Sequence, residues 1–73
     1  MTIERCHKTV GANVRRRRDA LGITQAKLAS RIGLERSSVA NIEAGRQRLL
    51  LDNIERLARA LRTTPRRLMR GVW

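Results

Sequence analysis

The sequence predicts an all-α fold built from five short helices. Its apolar residues recur at spacings of three and four, which places them on one face of a helix. Residues that begin or end helices separate these stretches: Thr24 and Thr64 precede a stretch, while Gly33, Gly45 and Gly71 follow one. These two observations indicate short helices joined by tight turns.

The expected helices can be placed in chain order from the same signals. The first puts Val10, Val14 and Leu21 on one face, and the last opens with Thr64 as N-cap and Pro65 at the first helical position. Residues 1–6 carry no clear pattern and are expected to form a loose arm. The five helices are expected at about residues 7–21, 25–32, 36–44, 52–62 and 65–70.

The segment from about residue 24 to residue 44 has the pattern of a helix-turn-helix. Its two helices are short and almost without a linker, so they can only cross at a steep angle. In the second helix, Val39 and Ile42 face one way, whereas Arg36, Ala40 and Asn41 face another. The second helix therefore carries polar side chains outward.

Length and composition indicate one cytoplasmic domain, residues 1–73. A chain of 73 residues is near the lower limit for a helical core without covalent cross-links. Cys6 is the single cysteine, which excludes an intramolecular disulfide and suits a reducing compartment. No apolar run is long enough to span a bilayer, and the first ten residues lack the apolar core of a signal peptide.

The charge balance predicts a polyanionic partner. Lysine and arginine number 17 against 6 acidic residues, a formal net charge of +11. The basic residues are spread over several helices, which favours a phosphate backbone over an anionic membrane. Trp73 is the only aromatic residue, which argues against single-stranded nucleic acid, whose recognition depends on aromatic stacking. We therefore expect double-stranded DNA and no membrane partner.

The chain resembles the phage-repressor and Cro type of helix-turn-helix domain, the XRE-type family. The resemblance implies a compact lambda-repressor-like domain that binds duplex DNA as a homodimer, on two half-sites about 34–36 Å apart. It covers about residues 10–69. The matching residues are Gly22-Ile23-Thr24-Gln25, Leu28-Ala29, Gly33, Val39, Glu43-x-Gly45 and Leu57-Ala58-x-x-Leu61.

The third helix would then be the recognition helix, because an α-helix fits the major groove and its N-terminal residues reach base edges first. Arg36 can bond guanine through two donors, with a phosphate contact as the alternative. Ser37 can bond several bases, Ala40 can touch a thymine methyl, and Asn41 can read adenine or hold a phosphate. Glu35 departs from the usual serine or threonine cap, and it either caps the helix or accepts from cytosine.

Four residues are expected at the DNA phosphates. The resemblance implies this role for Gln25, at a helix N-terminus whose free amides can face the same phosphate. Arg46 and Arg48 follow Gly45 in a short loop of the kind that lies against the backbone. Lys27 either adds diffuse attraction or belongs to a solvated face.

Arg18 and Glu43 are expected to form a structural ion pair. Arg18 lies in phase with Val14 and Leu21, at the edge of the apolar face of the first helix. The resemblance implies a partly buried pair between an arginine and a glutamate at these positions. The alternative is an arginine whose stem lies along the core while its charge reaches water.

Several apolar residues are expected to form a dimer interface. Three successive leucines at 49–51 replace the proline and small polar cap usual in related domains, and they cannot all point inward. A C-terminal tryptophan either covers the edge of the core or joins such an interface. The expected interface residues are Leu49, Leu50, Leu68, Val72 and Trp73.

The pattern favours a transcriptional regulator over an enzyme. Cys6 and His7 are adjacent, which does not suit joint binding of one metal ion, and neither has the partners of a nucleophile. No cofactor or metal is expected. A Cro-like repressor and a restriction-modification controller both match this length. The alternatives are an antitoxin that contacts a toxin through its leucines, or a protein-interaction module without DNA binding, and a further protein partner (a toxin or polymerase) is left open.

Overall fold

The computed structural model describes residues 2–72, and five α-helices lie within that part of the chain. Their order confirms the predicted all-α fold with a central helix-turn-helix. None of these helices is long and apolar enough to cross a membrane. The helices are α1 (Ile3–Leu21), α2 (Gln25–Ile32), α3 (Arg36–Glu43), α4 (Leu51–Ala60) and α5 (Pro65–Leu68).

The expectation of a loose arm over residues 1–6 is wrong, because α1 begins at Ile3. The hydroxyl of Thr2 accepts a hydrogen bond from the Arg5 amide at 3.2 Å, which caps the helix. Glu4 in the first turn also suits the positive end of the helix dipole. A threonine at position 2 with an acidic residue at position 4 is therefore a start signal for α1 that the spacing of apolar residues does not reveal.

Smaller differences affect the C-terminal half of the chain. Helix α4 starts one residue early, with Leu50 as an N-cap that provides no side-chain hydrogen bond. It ends before the expected boundary because Arg62 takes a left-handed conformation (φ 54°), and the Thr63 amide bonds the Ala58 carbonyl at 2.9 Å. Helix α5 is a single turn, capped as expected by Thr64, whose hydroxyl accepts from the Arg67 amide at 3.2 Å.

All five helices contribute to one apolar core. The fully covered members are aliphatic side chains that the three- and four-residue spacings place on inward faces. Leu21, Ile23, Leu34 and Leu49 pack around the core while remaining half-exposed. The buried members are Val10, Val14, Leu28, Ala29, Ile32, Val39, Ile42, Leu57, Ala58, Leu61 and Leu68.

Helix α1 packs unusually closely against the C-terminal end of α3. Gly11 is buried in the middle of α1, and a Cβ atom there would overlap the carbonyl oxygen of Ile42 and approach that of Glu43 to 2.9 Å. A glycine inside a helix is unfavourable unless another backbone needs the space. The close approach supplies that need, and it places α1 directly behind α3.

Two polar side chains of α1 hold the C-terminal helices in place. Asn13 donates from Nδ2 to the carbonyl oxygens of Leu68 and Arg70, both at 2.8 Å. Arg17 donates from Nε to the Leu61 carbonyl at 2.8 Å and from Nη2 to the Arg62 carbonyl at 3.0 Å. Both therefore satisfy carbonyl groups at helix ends that would otherwise lack a partner.

We expect Gly11→Ala to destabilise the protein by about 1–3 kcal/mol, because the added methyl would push α1 away from α3. The matched control is Ala12→Gly, the opposite exchange at an exposed neighbour, which should cost about 0.5–1 kcal/mol through helix propensity alone. Urea unfolding of both variants measures these changes. If Gly11→Ala raised the stability instead, the close approach of the two helices would be excluded.

Candidate nucleic-acid interface

Helix α3 presents one apolar and one polar face. Val39 and Ile42 are buried against the rest of the protein. Arg36, Ser37 and Asn41 are exposed on the opposite side of the helix. The turn before α3 contains Gly33 at φ 71° and is closed by a hydrogen bond from the next amide to the Ala29 carbonyl at 3.0 Å. The polar face is consequently held outward by a rigid turn and a buried apolar anchor.

The structure places the residues expected to read bases around the outer side of α3. Arg36 and Ser37 lie in its first turn, and Asn41 lies one turn further on. Ala40 is half-buried between them, so it offers a smaller contact surface than the others. Glu35 occupies the N-cap position, but its side chain makes no capping hydrogen bond and is exposed. The capping role suggested for this carboxylate is therefore wrong.

The structure brings Arg18 and Glu43 together. Arg18 donates from Nε to Glu43 Oε2 at 2.7 Å and from Nη2 to Glu43 Oε1 at 3.1 Å, while Nη1 donates to the Ile23 carbonyl at 2.9 Å. Only 11% of the Arg18 side chain and 4% of the Glu43 side chain are exposed. The two parallel bonds join α1 to the end of α3, and the third joins both to the segment before α2.

The pairing with Glu43 affects the pKa of Arg18. The hydrogen bonds that Arg18 donates to Glu43 raise the pKa of Arg18 above its ordinary value, although burial acts in the opposite direction. A raised pKa of a cation means that its contribution to stability is present below the ordinary arginine pKa and is lost only at higher pH. The pair therefore stabilises the fold at neutral pH.

Gln25 belongs to the same group of side chains. Its Nε2 donates to Glu43 Oε1 at 3.1 Å, and the side chain is half-buried. The sequence predicts only a contact with a DNA phosphate for this residue. An amide nitrogen carries two hydrogens, so one bond to Glu43 leaves the second available to a phosphate oxygen. Glu43 thereby orients Gln25 at the N-terminus of α2.

The remaining cations expected at phosphates lie on exposed segments beside α2 and α3. Lys27 is exposed in the first turn of α2, next to the Thr24 cap. Arg46 and Arg48 are exposed in the loop after α3. Gly45 at φ 74° reverses the chain there, and the Arg46 amide bonds the Asn41 carbonyl at 2.9 Å. The loop is thus folded back against the end of α3.

The residues expected at a dimer interface have different positions. Leu50 is 58% exposed and neighbouring Leu51 is 79% exposed, whereas Leu49 and Val72 are half-buried and pack on the core. Leu68 is only 2% exposed, because it packs inside the core of its own chain. Its assignment to an interface is therefore wrong. Trp73 lies outside the described residues.

Three residues of α1 that hold the fold together behind this region were not identified from the sequence. Gly11 could have been found, since an isolated glycine within a helical pattern indicates a close contact. Asn13 and Arg17 carried no such signal, because polar residues on an exposed helix face have the same pattern whether or not they bond a distant carbonyl. Their roles depend on where α4 and α5 end.

The chain belongs to the helix-turn-helix family. A family model described as a helix-turn-helix matches residues 14–68. Together with the fold and the outward polar face of α3, this match defines a DNA-binding transcriptional regulator of the XRE type, and not an enzyme.

Solved structures resemble the whole arrangement. The restriction-modification controller protein C.AhdI from Aeromonas hydrophila is 37% identical, with a TM-score of 0.87 over 93% of this chain and 99% of that chain. A hypothetical transcription factor, NHTF from Neisseria, is 30% identical, with a TM-score of 0.85 over 94% and 79%. The clp gene regulator ClgR from C. glutamicum is 19% identical and shows the fold alone, with a TM-score of 0.85 over 94% and 85%. A search of curated protein sequences finds no match.

We expect Glu43→Ala to lower the free energy of unfolding by about 3–5 kcal/mol, because it leaves Arg18 buried without its carboxylate. The matched control is Glu55→Ala, which removes the same charge from the exposed face of α4 and should change stability by less than about 0.5 kcal/mol. Thermal and urea unfolding of both variants provide the measurement. Equal losses in the two variants would mean that the buried pair contributes nothing beyond net charge.

Proposed function

We propose that this protein is a sequence-specific regulator that binds an inverted-repeat operator as a homodimer, with a role like that of a restriction-modification controller. The observation that carries the proposal is the exposed polar face of α3, held opposite its buried Val39 and Ile42. The likeness to C.AhdI supports the controller role, because it extends over almost the full length of both chains. As a DNA-binding regulator the protein would act in the cytoplasm, where the DNA lies.

Base reading is assigned to the exposed residues of α3. The exposed side of α3 is free to enter the major groove, because the other side of the helix is anchored in the core. Arg36 would bond guanine, Asn41 would bond adenine, and Ser37 would add contacts of low selectivity. Glu35 is exposed and makes no cap, which supports a contact with the cytosine amine. Ala40, half-buried, would contribute at most a thymine methyl contact.

Phosphate contacts would flank this face on both sides. Gln25 and Lys27 lie at the start of α2, where the helix N-terminus attracts anions. Arg46 and Arg48 lie in the loop that follows α3. Contacts of this kind set the register of a protein on the duplex without reading its sequence.

A dimer would join two copies through apolar residues near the start of α4. Leu50 is a candidate because its side chain is exposed although apolar, as is that of the neighbouring Leu51, and Leu49 and Val72 are half-exposed. Such a dimer would read two half-sites about one helical turn apart, with matching inverted sequences.

Selection of bound duplexes from a random pool, at two salt concentrations, tests the whole proposal. We expect an enriched inverted repeat, whose spacing reports the separation of the two α3 helices. Binding that enriches no sequence and disappears at moderate salt would reject the proposed operator recognition. Enrichment of a single half-site would reject the proposed dimer but would still support base reading by α3.

Arg36→Ala should relax the preference at one position of each half-site, with a loss of about 1–3 kcal/mol of discrimination and no change in stability. Repeating the selection with the variant measures this. Arg56→Ala, which removes an exposed arginine from α4, should leave the selected sequence unchanged. An unaltered preference in Arg36→Ala would exclude base reading by this residue.

Arg46→Ala should weaken binding to operator and unrelated duplexes alike, and should reduce the slope of log affinity against log salt by about one. Titrations at several salt concentrations give both quantities. A variant that selected a different operator sequence would contradict the assignment of Arg46 to phosphate.

A further inference from the structure

A second basic surface lies between α1 and the C-terminal helices. It is an open groove of about 860 Å³, and none of the residues that line it is acidic. Four arginines line it: Arg16 and Arg17 from α1, and Arg67 and Arg70 from the segment around α5. None of these four belongs to the residues assigned to base or phosphate contacts above.

The groove is built by hydrogen bonds and is more than a chance patch of charge. The Asn13 side chain holds the α5 wall through the Leu68 and Arg70 carbonyls, both at 2.8 Å, and its Oδ1 accepts from Arg16 Nη2 at 2.6 Å. Arg17 is held by its bonds to carbonyls at the end of α4. Because their side chains are restrained in this way, Arg16 and Arg17 lose less conformational entropy when they bind a ligand.

The groove opens on the side of α1 opposite to α3. Gly11 and Arg18, which face α3, are seven residues apart and so lie on the same side of α1. Asn13 is two residues from Gly11, and Arg16 and Ala20 are each two residues from Arg18. Two residues correspond to a rotation of about 200° around the helix, so these three side chains lie on the side away from α3. If α3 reads DNA as proposed, the bound duplex lies on the far side of α1 from this groove.

The lining is partly apolar as well as basic. Ala12 and Ala20 are exposed small residues that leave room along α1, and Leu68 also lines the groove. A concave surface with arginines on both walls and methyl groups between them suits a protein segment that carries carboxylates and apolar side chains. A DNA duplex presents phosphates on a convex surface, which would leave the alanine methyl groups without apolar partners.

We propose that this groove binds an acidic, partly apolar segment of a partner protein while α3 remains free to hold DNA. A second copy of the same chain is a poor occupant of this groove, because four arginines require carboxylates and each copy has only 6 acidic residues against 17 basic ones. Arginines on the two walls would bond the carboxylates, and the alanine methyl groups would contact the apolar side chains. The regulator would thereby connect DNA to an acidic protein through two opposite faces.

The test uses the full chain and a fluorescein-labelled peptide in which glutamate pairs alternate with single leucines. The variant Arg67→Ala/Arg70→Ala removes two groove cations, and Arg56→Ala/Arg59→Ala removes two exposed arginines with the same spacing from α4. By fluorescence anisotropy, the groove variant should lose affinity for the peptide about tenfold or more, and the control less than about threefold. Equal losses would overturn the proposal, since net charge alone would then explain binding.

A second variant avoids any change in the short helix α5. Ala20→Glu places a carboxylate in the groove from α1, and it should abolish peptide binding while the melting temperature stays near that of the wild type. Unchanged peptide affinity in this variant would overturn the proposal. Both outcomes are independent of whether α3 reads DNA.

The side-chain amides of Asn13 and Asn41 report on the two faces in one NMR spectrum. The peptide should shift the Asn13 amide and leave Asn41 unchanged, whereas a DNA duplex should shift Asn41 and leave Asn13 unchanged. A duplex that shifted Asn13 would show that the groove binds DNA, which would reject a protein partner there. A failure of DNA to shift Asn41 would reject the proposed reading face alone.

Discussion

The close junction of α1 with the end of α3 is the constraint on which the rest of the structure depends. Gly11 lets the two backbones approach, and the Arg18–Glu43 pair joins them through two parallel hydrogen bonds at 2.7 and 3.1 Å. The same pair bonds the Ile23 carbonyl and the Gln25 amide. The buried pair thus connects α1, the turn before α2, the start of α2 and the end of α3. A helix positioned this firmly can make geometrically demanding contacts with bases.

Four consecutive arginines show how one residue type takes different roles along a helix. Residues 15–18 point in successive directions about 100° apart. Arg18 forms the buried pair with Glu43, and Arg17 donates to a carbonyl at the end of α4. Arg16 lines the groove between α1 and the C-terminal helices, and exposed Arg15 lies 3.9 Å from Asp19. The four arginines resemble a DNA-binding cluster in the sequence, but two of them hold the fold together and the other two lie on the surface.

The large positive charge is distributed over opposite sides of the molecule. Lys27, Arg46 and Arg48 lie on the exposed segments beside the polar face of α3, while Arg16, Arg67 and Arg70 border the groove behind α1. Diffuse charge on every side increases the rate of encounter with DNA. Under the proposed function, selectivity would come from the residues of α3, which the fold holds in fixed positions.

The sequence by itself determined the helices and their inward faces, because apolar spacing and capping residues act within a few positions of each other. It also indicated the helix-turn-helix, and the resemblance implied the Arg18–Glu43 pair. Only the tertiary structure decided that Leu68 is core and Leu50 surface, and that Gln25 bonds Glu43. It alone revealed Asn13 as the link between α1 and α5. Such contacts join residues far apart in the chain, so no local pattern encodes them.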